Sequence, residues 1–189
     1  MHLKITHIFS LISLFFVLGF SNVNAKPIEA IGGDFVLQSA DGDIALKDLR
    51  GKVVLLYFGY TNCPDACPTT LQQWTKAFKK LQPDELNRVQ GLMVSVDPER
   101  DSVKTLKAYV GFFHKNIIGV TGTPDNLHEI TETFGTSYKI DEHLPGKGYA
   151  VDHSFYVFII DPDGKARNRV DFTVGADELV ELIRQRLKQ

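Results

Sequence analysis

The 189-residue chain has only two cysteines, one tryptophan and two methionines. So few cysteines exclude a small domain held together by several disulfides, and a chain of this length can build a full apolar core. It carries 21 basic and 23 acidic residues, a formal net charge of −2, and has no basic tract. The missing basic tract argues against nucleic acid as a partner. Internal repeats, low-complexity segments and interdomain linkers are also absent, which predicts one domain.

Long apolar runs are scarce, and the most pronounced one lies near the N-terminus. Lys4 precedes an apolar stretch at 8–20, and the segment that follows ends with a small residue, Ala25, as a signal-peptidase site requires. This pattern predicts a secretory signal peptide at 1–25, cleaved after Ala25, and a mature domain at 26–189. The alternative is an uncleaved inner-membrane anchor. A bilayer-spanning helix needs about 20 apolar residues, and the apolar stretch is shorter than that, which favours cleavage. We therefore expect a periplasmic protein, with no stable membrane span once the signal is cleaved.

The mature chain alternates apolar runs that are typical of strands with helical periodicity. We predict a first hairpin at 34–50, strands at 53–58 and 89–96, helices at 69–81 and 124–134, a helix capped by Asp101 and running to about residue 113, a late hairpin built from 155–160 and 170–172, and a closing helix at 176–187. This order predicts an α/β protein with a thioredoxin-like fold: a central mixed sheet flanked by helices, with an N-terminal β-hairpin extension.

The two cysteines come directly after the first predicted sheet strand. Cys63 and Cys67 are separated by three residues, and a proline follows each of them. Their sulfurs lie one helical turn apart if a helix begins here, or across a tight loop if it does not, and both geometries let them converge. A thioredoxin-type motif has two intervening residues. Outside the cytoplasm such thiols oxidise unless they are kept reduced or hold a metal. A redox pair and a metal site are therefore both favoured over a structural disulfide.

A third candidate comes from the predicted topology. The segment that leads into the late hairpin should lie beside the end of the first sheet strand, and it carries His153. His114, His128 and His143 fall on predicted helix surfaces or in a loop. A lone histidine before a strand is usually structural, and only the topology favours a ligand role for His153. Thioredoxin oxidoreductases place a cis-proline here, whereas this chain has Asp152 and His153, which weakens an interpretation as a redox enzyme.

Two thiolates and one imidazole would form a soft site of low coordination number. Such a site suits Cu(I), and it holds Cu(II) with an additional ligand. Structural zinc sites usually have a fourth protein ligand, and the sequence offers none nearby. Asp152 either orients the histidine from outside the ligand set or is an exposed residue without a partner.

Several motifs together resemble those of the SCO/SenC family of copper-binding assembly factors. They follow the family's order over nearly the whole mature chain: GK at 51–52, YFGYTNCPDACP at 57–68, SVDPERD at 95–101, TGTP at 121–124, VDHS at 151–154 and DPDG at 161–164. Each motif alone is weak, and jointly they are highly specific.

The resemblance implies a thioredoxin-like copper chaperone for the dinuclear copper centre of cytochrome c oxidase. It implies that Cys63, Cys67 and His153 are the copper ligands and that the two cysteines also cycle through a disulfide. Asp97 and Asp101 occupy the family's acidic motif, for which we expect a role in local structure or partner contact. The expected partner is the copper-centre subunit of the oxidase or another copper acceptor. Many relatives keep an N-terminal membrane anchor, which this chain is predicted to lose.

Two enzymatic functions are alternatives to the chaperone. One is a periplasmic thiol–disulfide oxidoreductase that acts on the cysteines of the acceptor, with Cys63 and Cys67 as its redox-active pair and a thioredoxin-like protein as reductant. The other is a peroxidase related to peroxiredoxins, which the flanking prolines and the lack of a distant resolving cysteine disfavour. A metallochaperone is the favoured interpretation.

Overall fold

The computed structural model describes residues 31–141 and 148–188, so the predicted signal peptide and His143 lie outside the described residues. The strands are β1 Val36–Ser39, β2 Gly42–Ala45, β3 Val53–Gly59, β4 Val89–Ser95, β5 Ile117–Val120, β6 Tyr138–Asp141, β7 Ala150–His153, β8 Tyr156–Ile160 and β9 Ala166–Asp171. The helices are α1 Ala66–Phe78, α2 Pro83–Asn87, α3 Val103–Phe113, α4 Pro124–Thr133 and α5 Ala176–Leu187, with a short 3-10 helix at Leu46–Leu49.

A mixed five-stranded sheet forms the centre, in the order β5-β4-β3-β8-β9. β3 runs parallel to β4 and β4 parallel to β5, whereas β8 is antiparallel to both β3 and β9. Strands β1 and β2 form the N-terminal hairpin. Because β3 is the middle strand, its C-terminal end opens at the centre of one edge of the sheet. The predicted mixed sheet with an N-terminal hairpin is confirmed.

Both faces of the central sheet are covered. β3 and β4 are buried along their whole length, as expected for strands that lie between two layers. Alternate residues of β3 supply opposite faces: Leu56 packs with the hairpin and α4, and Leu55 packs with α1 and α5. Burial of such side chains contributes about 1.5–3 kcal/mol each. The two cores hold β3 rigidly at the point where its end reaches the candidate site.

Several elements differ from the sequence prediction. The short strand β5, helix α2 and the β6–β7 hairpin were not predicted, and α1 begins at Ala66 rather than at residue 69. The N-cap of α3 is Ser102, whose hydroxyl accepts a hydrogen bond from the Thr105 N–H at 3.1 Å. Asp101 does not cap this helix because its carboxylate is engaged with Thr61 and Ser95. In the part of the chain that the structure describes, we find no helix long and apolar enough to cross a bilayer.

Candidate metal centre

The two cysteines lie where β3 gives way to α1. Cys63 is in the connecting loop and is partly buried, and Cys67 is in the first turn of α1 and is fully buried. The main-chain N–H of Cys67 donates to Cys63 Sγ at 3.4 Å. The start of α1 therefore directs Cys67 inward and leaves Cys63 accessible from solvent.

His153 completes a cluster with the two cysteines. It ends β7 and is 5% exposed. One ligand atom from each of Cys63, Cys67 and His153 lies within 4.8 Å of the other two. Within residues 31–141 and 148–188, no other group of three or more histidine, cysteine or carboxylate side chains meets this criterion. His114 packs against Phe78 and His128 stacks on Tyr138, outside the cluster.

The imidazole of His153 presents a bare nitrogen. Its Nδ1 lies 3.0 Å from the Ser154 carbonyl oxygen, which can only accept, so the proton resides on Nδ1. Nε2 is buried and has no hydrogen-bond partner, and it is the nitrogen that carries the lone pair when the ring is neutral. The ring is held edge-to-face against Tyr57 and Tyr60, with centroids 5.9 and 5.7 Å away. A buried nitrogen without a partner, beside two sulfurs, fits a soft metal ion.

The two thiols have opposite pKa shifts. The pKa of Cys63 lies well below the usual thiol value, chiefly because the Cys67 thiol hydrogen-bonds to its sulfur, and also because of hydrogen bonds from main-chain N–H groups. The pKa of Cys67 is raised, first by its hydrogen bond to Cys63 and then by burial. These opposite shifts favour the thiolate on Cys63 and the proton on Cys67. A bound metal ion would displace the second proton.

The end of β3 shapes the pocket around Cys67. The Cys67 sulfur lies 3.9 Å from the Tyr57 hydroxyl, and burial raises the pKa of Tyr57, so the phenol stays protonated. A Cβ on Gly59 would lie 2.8 Å from Cys67 Sγ. Gly59 is therefore needed for the sulfur to occupy its place. Neither contact was recognised from the sequence, although both residues lie in the 57–68 motif.

Asp152 lies apart from the cluster. It is exposed, and side chains alternate along β7, so it is on the opposite face from His153. The group that contacts the imidazole Nδ1 is the Ser154 carbonyl. An orienting role for Asp152 stays a prediction.

Asp97 and Asp101 are fully buried between β4 and α3. Asp101 accepts hydrogen bonds from the Thr61 N–H at 2.9 Å, from the Thr61 hydroxyl at 2.5 Å and from the Ser95 hydroxyl at 2.6 Å. Asp97 forms an ion pair with Arg100. These contacts are within the protein, which supports the interpretation of the acidic motif as local structure.

Comparison with known proteins gives a consistent result. The family model SCO1/SenC matches residues 23–188. The mitochondrial SCO2 homolog of Bos taurus is 34% identical over 161 residues, which cover 84% of this chain and 60% of that protein. The chain thus spans less than two thirds of that relative's length.

Solved structures agree with the fold. The copper-bound ScoI of Arabidopsis thaliana superposes with a TM-score of 0.76 at 34% identity, covering 85% of this chain and 99% of that one. BsSco, described as a member of the Sco family of cytochrome c oxidase assembly proteins with a disulfide switch, gives a TM-score of 0.66 at 25% identity, covering 86% and 96%. The predicted thioredoxin-like fold is thereby confirmed.

Proposed function

The chain belongs to the SCO1/SenC family, and from that premise we propose that it is a copper chaperone whose ligands are Cys63, Cys67 and His153. The observation that carries the proposal is the convergence of two sulfurs and one imidazole nitrogen within 4.8 Å. The buried, unpaired Nε2 of His153 supports it, because a bound cation would satisfy that atom. The copper-bound Arabidopsis relative supports the choice of metal.

Three donors of this kind suit copper chemistry. Thiolate and imidazole ligands satisfy three-coordinate Cu(I), and Cu(II) would take an additional ligand. Binding requires Cys67 to lose its proton, so affinity falls as the pH falls and is lost when the dithiol is oxidised. Cys63 is partly exposed, so the thiolates of an acceptor can reach the metal from the side on which Cys63 lies. Delivery then proceeds by stepwise exchange of ligands and needs no proton-transfer catalyst.

We propose that the acceptor is the copper-centre subunit of cytochrome c oxidase. The description of BsSco as a member of a family of cytochrome c oxidase assembly proteins supports this choice. We also propose that the chain acts in the periplasm after cleavage behind Ala25, which rests on the pattern of the N-terminal sequence.

Thiol–disulfide exchange on the acceptor is the second candidate, and the unequal thiols favour it. The accessible Cys63 thiolate would attack an acceptor disulfide and form a mixed disulfide, with the acceptor's other sulfur leaving as thiolate. Cys67, after losing its proton, would then attack Cys63. This step yields a Cys63–Cys67 disulfide and a reduced acceptor, and a thioredoxin-like reductant would restore the dithiol. The disulfide switch described for BsSco supports this candidate.

Copper affinity and disulfide exchange can be measured on the same variants. We expect the reduced protein to bind one equivalent of Cu(I) in competition with a chromogenic chelator, and Cys63→Ala, Cys67→Ala and His153→Ala each to weaken binding. His153→Ala should spare exchange with a small disulfide. Weak copper binding that is indifferent to His153, together with fast exchange, would refute the chaperone and favour the oxidoreductase.

A further inference from the structure

The loop between β4 and α3 reaches both segments that carry the candidate ligands. On one side, Asp101 accepts two hydrogen bonds from Thr61, which lies two residues before Cys63. On the other side, the guanidinium of Arg100 donates from Nη1 to the Tyr149 carbonyl at 3.0 Å. Tyr149 directly precedes β7, the strand that ends at His153. One short loop thus contacts the dithiol segment and the histidine segment together.

Arg100 makes several contacts that fix its position. Its Nε pairs with Asp97, whose side chain is fully buried. Its guanidinium lies 3.8 Å from the centroid of the Tyr149 ring, and the Tyr149 hydroxyl donates to Asp97 Oδ1 at 2.5 Å. A planar guanidinium that is hydrogen-bonded and stacked in this way is rigid, and a lysine cannot reproduce its geometry.

The same guanidinium also reaches the aromatic wall of the candidate metal centre. It lies 5.7 Å from the centroid of the Tyr60 ring, and that ring packs edge-to-face on His153. Arg100 therefore contacts two groups that hold His153 in place: the main chain that leads into β7, and the Tyr60 ring.

The β7 strand needs such support because of its place in the fold. In the described part of the chain, β7 pairs with β6 in a separate two-stranded sheet. The hydrogen bonds of the central sheet hold β3, and with it the dithiol segment, but they do not extend to β7. A two-stranded hairpin alone is marginally stable. Only two residues join His153 to β8 of the central sheet, so this chain connection and the side-chain contacts of β7 together set the distance between His153 and the sulfurs.

We propose that Arg100 is a positioning residue that holds β7, and thereby the His153 imidazole, against the dithiol. The proposal rests on the proposed copper site for its functional consequence. The positioning of His153 by Arg100 is a property of the metal-free protein and can be tested without copper. Without Arg100, the imidazole is no longer held in place and the site behaves as a two-sulfur site.

The first test is made without metal. In Arg100→Met, the His153 ring resonances in NMR spectra of the reduced apoprotein are expected to shift and broaden, whereas Tyr149→Phe, which loses only the bond to Asp97, should have a smaller effect. Arg100→Lys should resemble Arg100→Met more than wild type. Unchanged His153 resonances in a folded Arg100→Met protein overturn the proposal.

The second test is a double-mutant cycle on Cu(I) affinity. Arg100→Met should weaken binding about 10- to 100-fold, the range typical for residues that support metal ligands. It should have no further effect in a His153→Ala background, because the ligand it positions is already gone. Equal effects of Arg100→Met with and without His153 would indicate a general structural role and would contradict the proposal.

Two further variants guard against unfolding and unspecific effects. Arg100→Met leaves the buried Asp97 with the Tyr149 hydroxyl but without a positive charge beside it, so the double variant Asp97→Asn with Arg100→Met removes the uncompensated charge and should give the same His153 signature. Arg167→Met is the matched control, because Arg167 pairs with the buried Asp161 at the opposite end of the sheet. It should leave His153 and copper binding unchanged. If the wild-type protein fails to bind copper, the proposed function fails, while the apoprotein spectra still decide on Arg100.

Discussion

At the scale of single residues, the centre consists of two chemically different thiols and one imidazole with a bare nitrogen. Cys63 is partly exposed and has a lowered pKa, whereas Cys67 is buried and has a raised pKa, and the hydrogen bond between them is the main cause of both shifts. The Ser154 carbonyl fixes which nitrogen of His153 is free. This division suits both metal binding and disulfide exchange.

The unequal thiols predict selective alkylation of Cys63. A lowered pKa means that the thiolate persists as the pH falls, so Cys63 should still react rapidly with iodoacetamide at about pH 6, well below the usual thiol pKa of about 8.5. In Cys67→Ala the main hydrogen bond that lowers this pKa is lost, and the rate at this pH should drop. Mass spectrometry measures both rates.

Cys63→Ala is the control for this experiment. Its remaining thiol, Cys67, loses the hydrogen bond to Cys63, but burial still raises its pKa and limits access of the reagent, so it should react slowly at every pH in this range. If wild-type Cys63 reacts at about pH 6 no faster than a free thiol does, the assignment of the thiolate to Cys63 is wrong.

The sequence identified the three clustered residues but not the groups that support them. Cys63 and Cys67 stood out because they are the only cysteines, and His153 because the strand order brings its segment to the end of β3. The Ser154 carbonyl carries no sequence signal, since every residue has one. Arg100 and Tyr149 are 49 positions apart in the sequence, so no local sequence pattern predicts the contact between them.

At the scale of elements, strong periodicity was predictive and short segments were not. The buried runs of β3 and β4 and the amphipathic helices α4 and α5 were located to within a few residues. The β6 and β7 strands have four residues each, which is too short for a reliable alternation. From the sequence, Pro83 predicts the end of the first long helix, but α1 already ends at Phe78 and Pro83 instead begins α2.

At the junction of β3 and α1, one added methyl group should displace the Cys67 sulfur. In Gly59→Ala the new Cβ would approach Cys67 Sγ to 2.8 Å, so the sulfur must move and Cu(I) affinity should fall. Overpacking of this kind also costs about 1–3 kcal/mol of stability. Copper competition and chemical denaturation measure the two effects separately.

Gly91→Ala provides the matched control in the neighbouring strand. Its Cβ would approach Trp74 Cε3 to 2.9 Å, away from the sulfurs. We expect a similar loss of stability with unchanged copper affinity. Equal affinities of the two variants would show that the contact between Gly59 and Cys67 does not matter for the centre.

At the scale of the whole molecule, the rigid central sheet and the smaller β6–β7 sheet each supply part of the centre. The sequence predicted this architecture because alternating strands and helices restrict the chain to few topologies. It did not predict that His153 belongs to a separate two-stranded sheet. Binding at such a junction should couple the two sheets and stabilise the entire domain.

This coupling predicts a rise in Tm on copper binding. A ligand at about 100 times its Kd adds about 2.7 kcal/mol to the free energy of unfolding. For a domain of this size that corresponds to about 5–10 °C. Calorimetry of the reduced protein should show the shift, and the oxidised protein should not show it because its sulfurs are no longer thiolates. Equal shifts in both states would place copper elsewhere.

Copper K-edge X-ray absorption of the reduced protein with one equivalent of Cu(I) identifies the atoms that bind the metal most directly. We expect two sulfur atoms and one imidazole nitrogen around the metal, and loss of the nitrogen in His153→Ala. A spectrum with nitrogen and oxygen neighbours alone, or one that His153→Ala leaves unchanged, would contradict a copper centre formed by Cys63, Cys67 and His153.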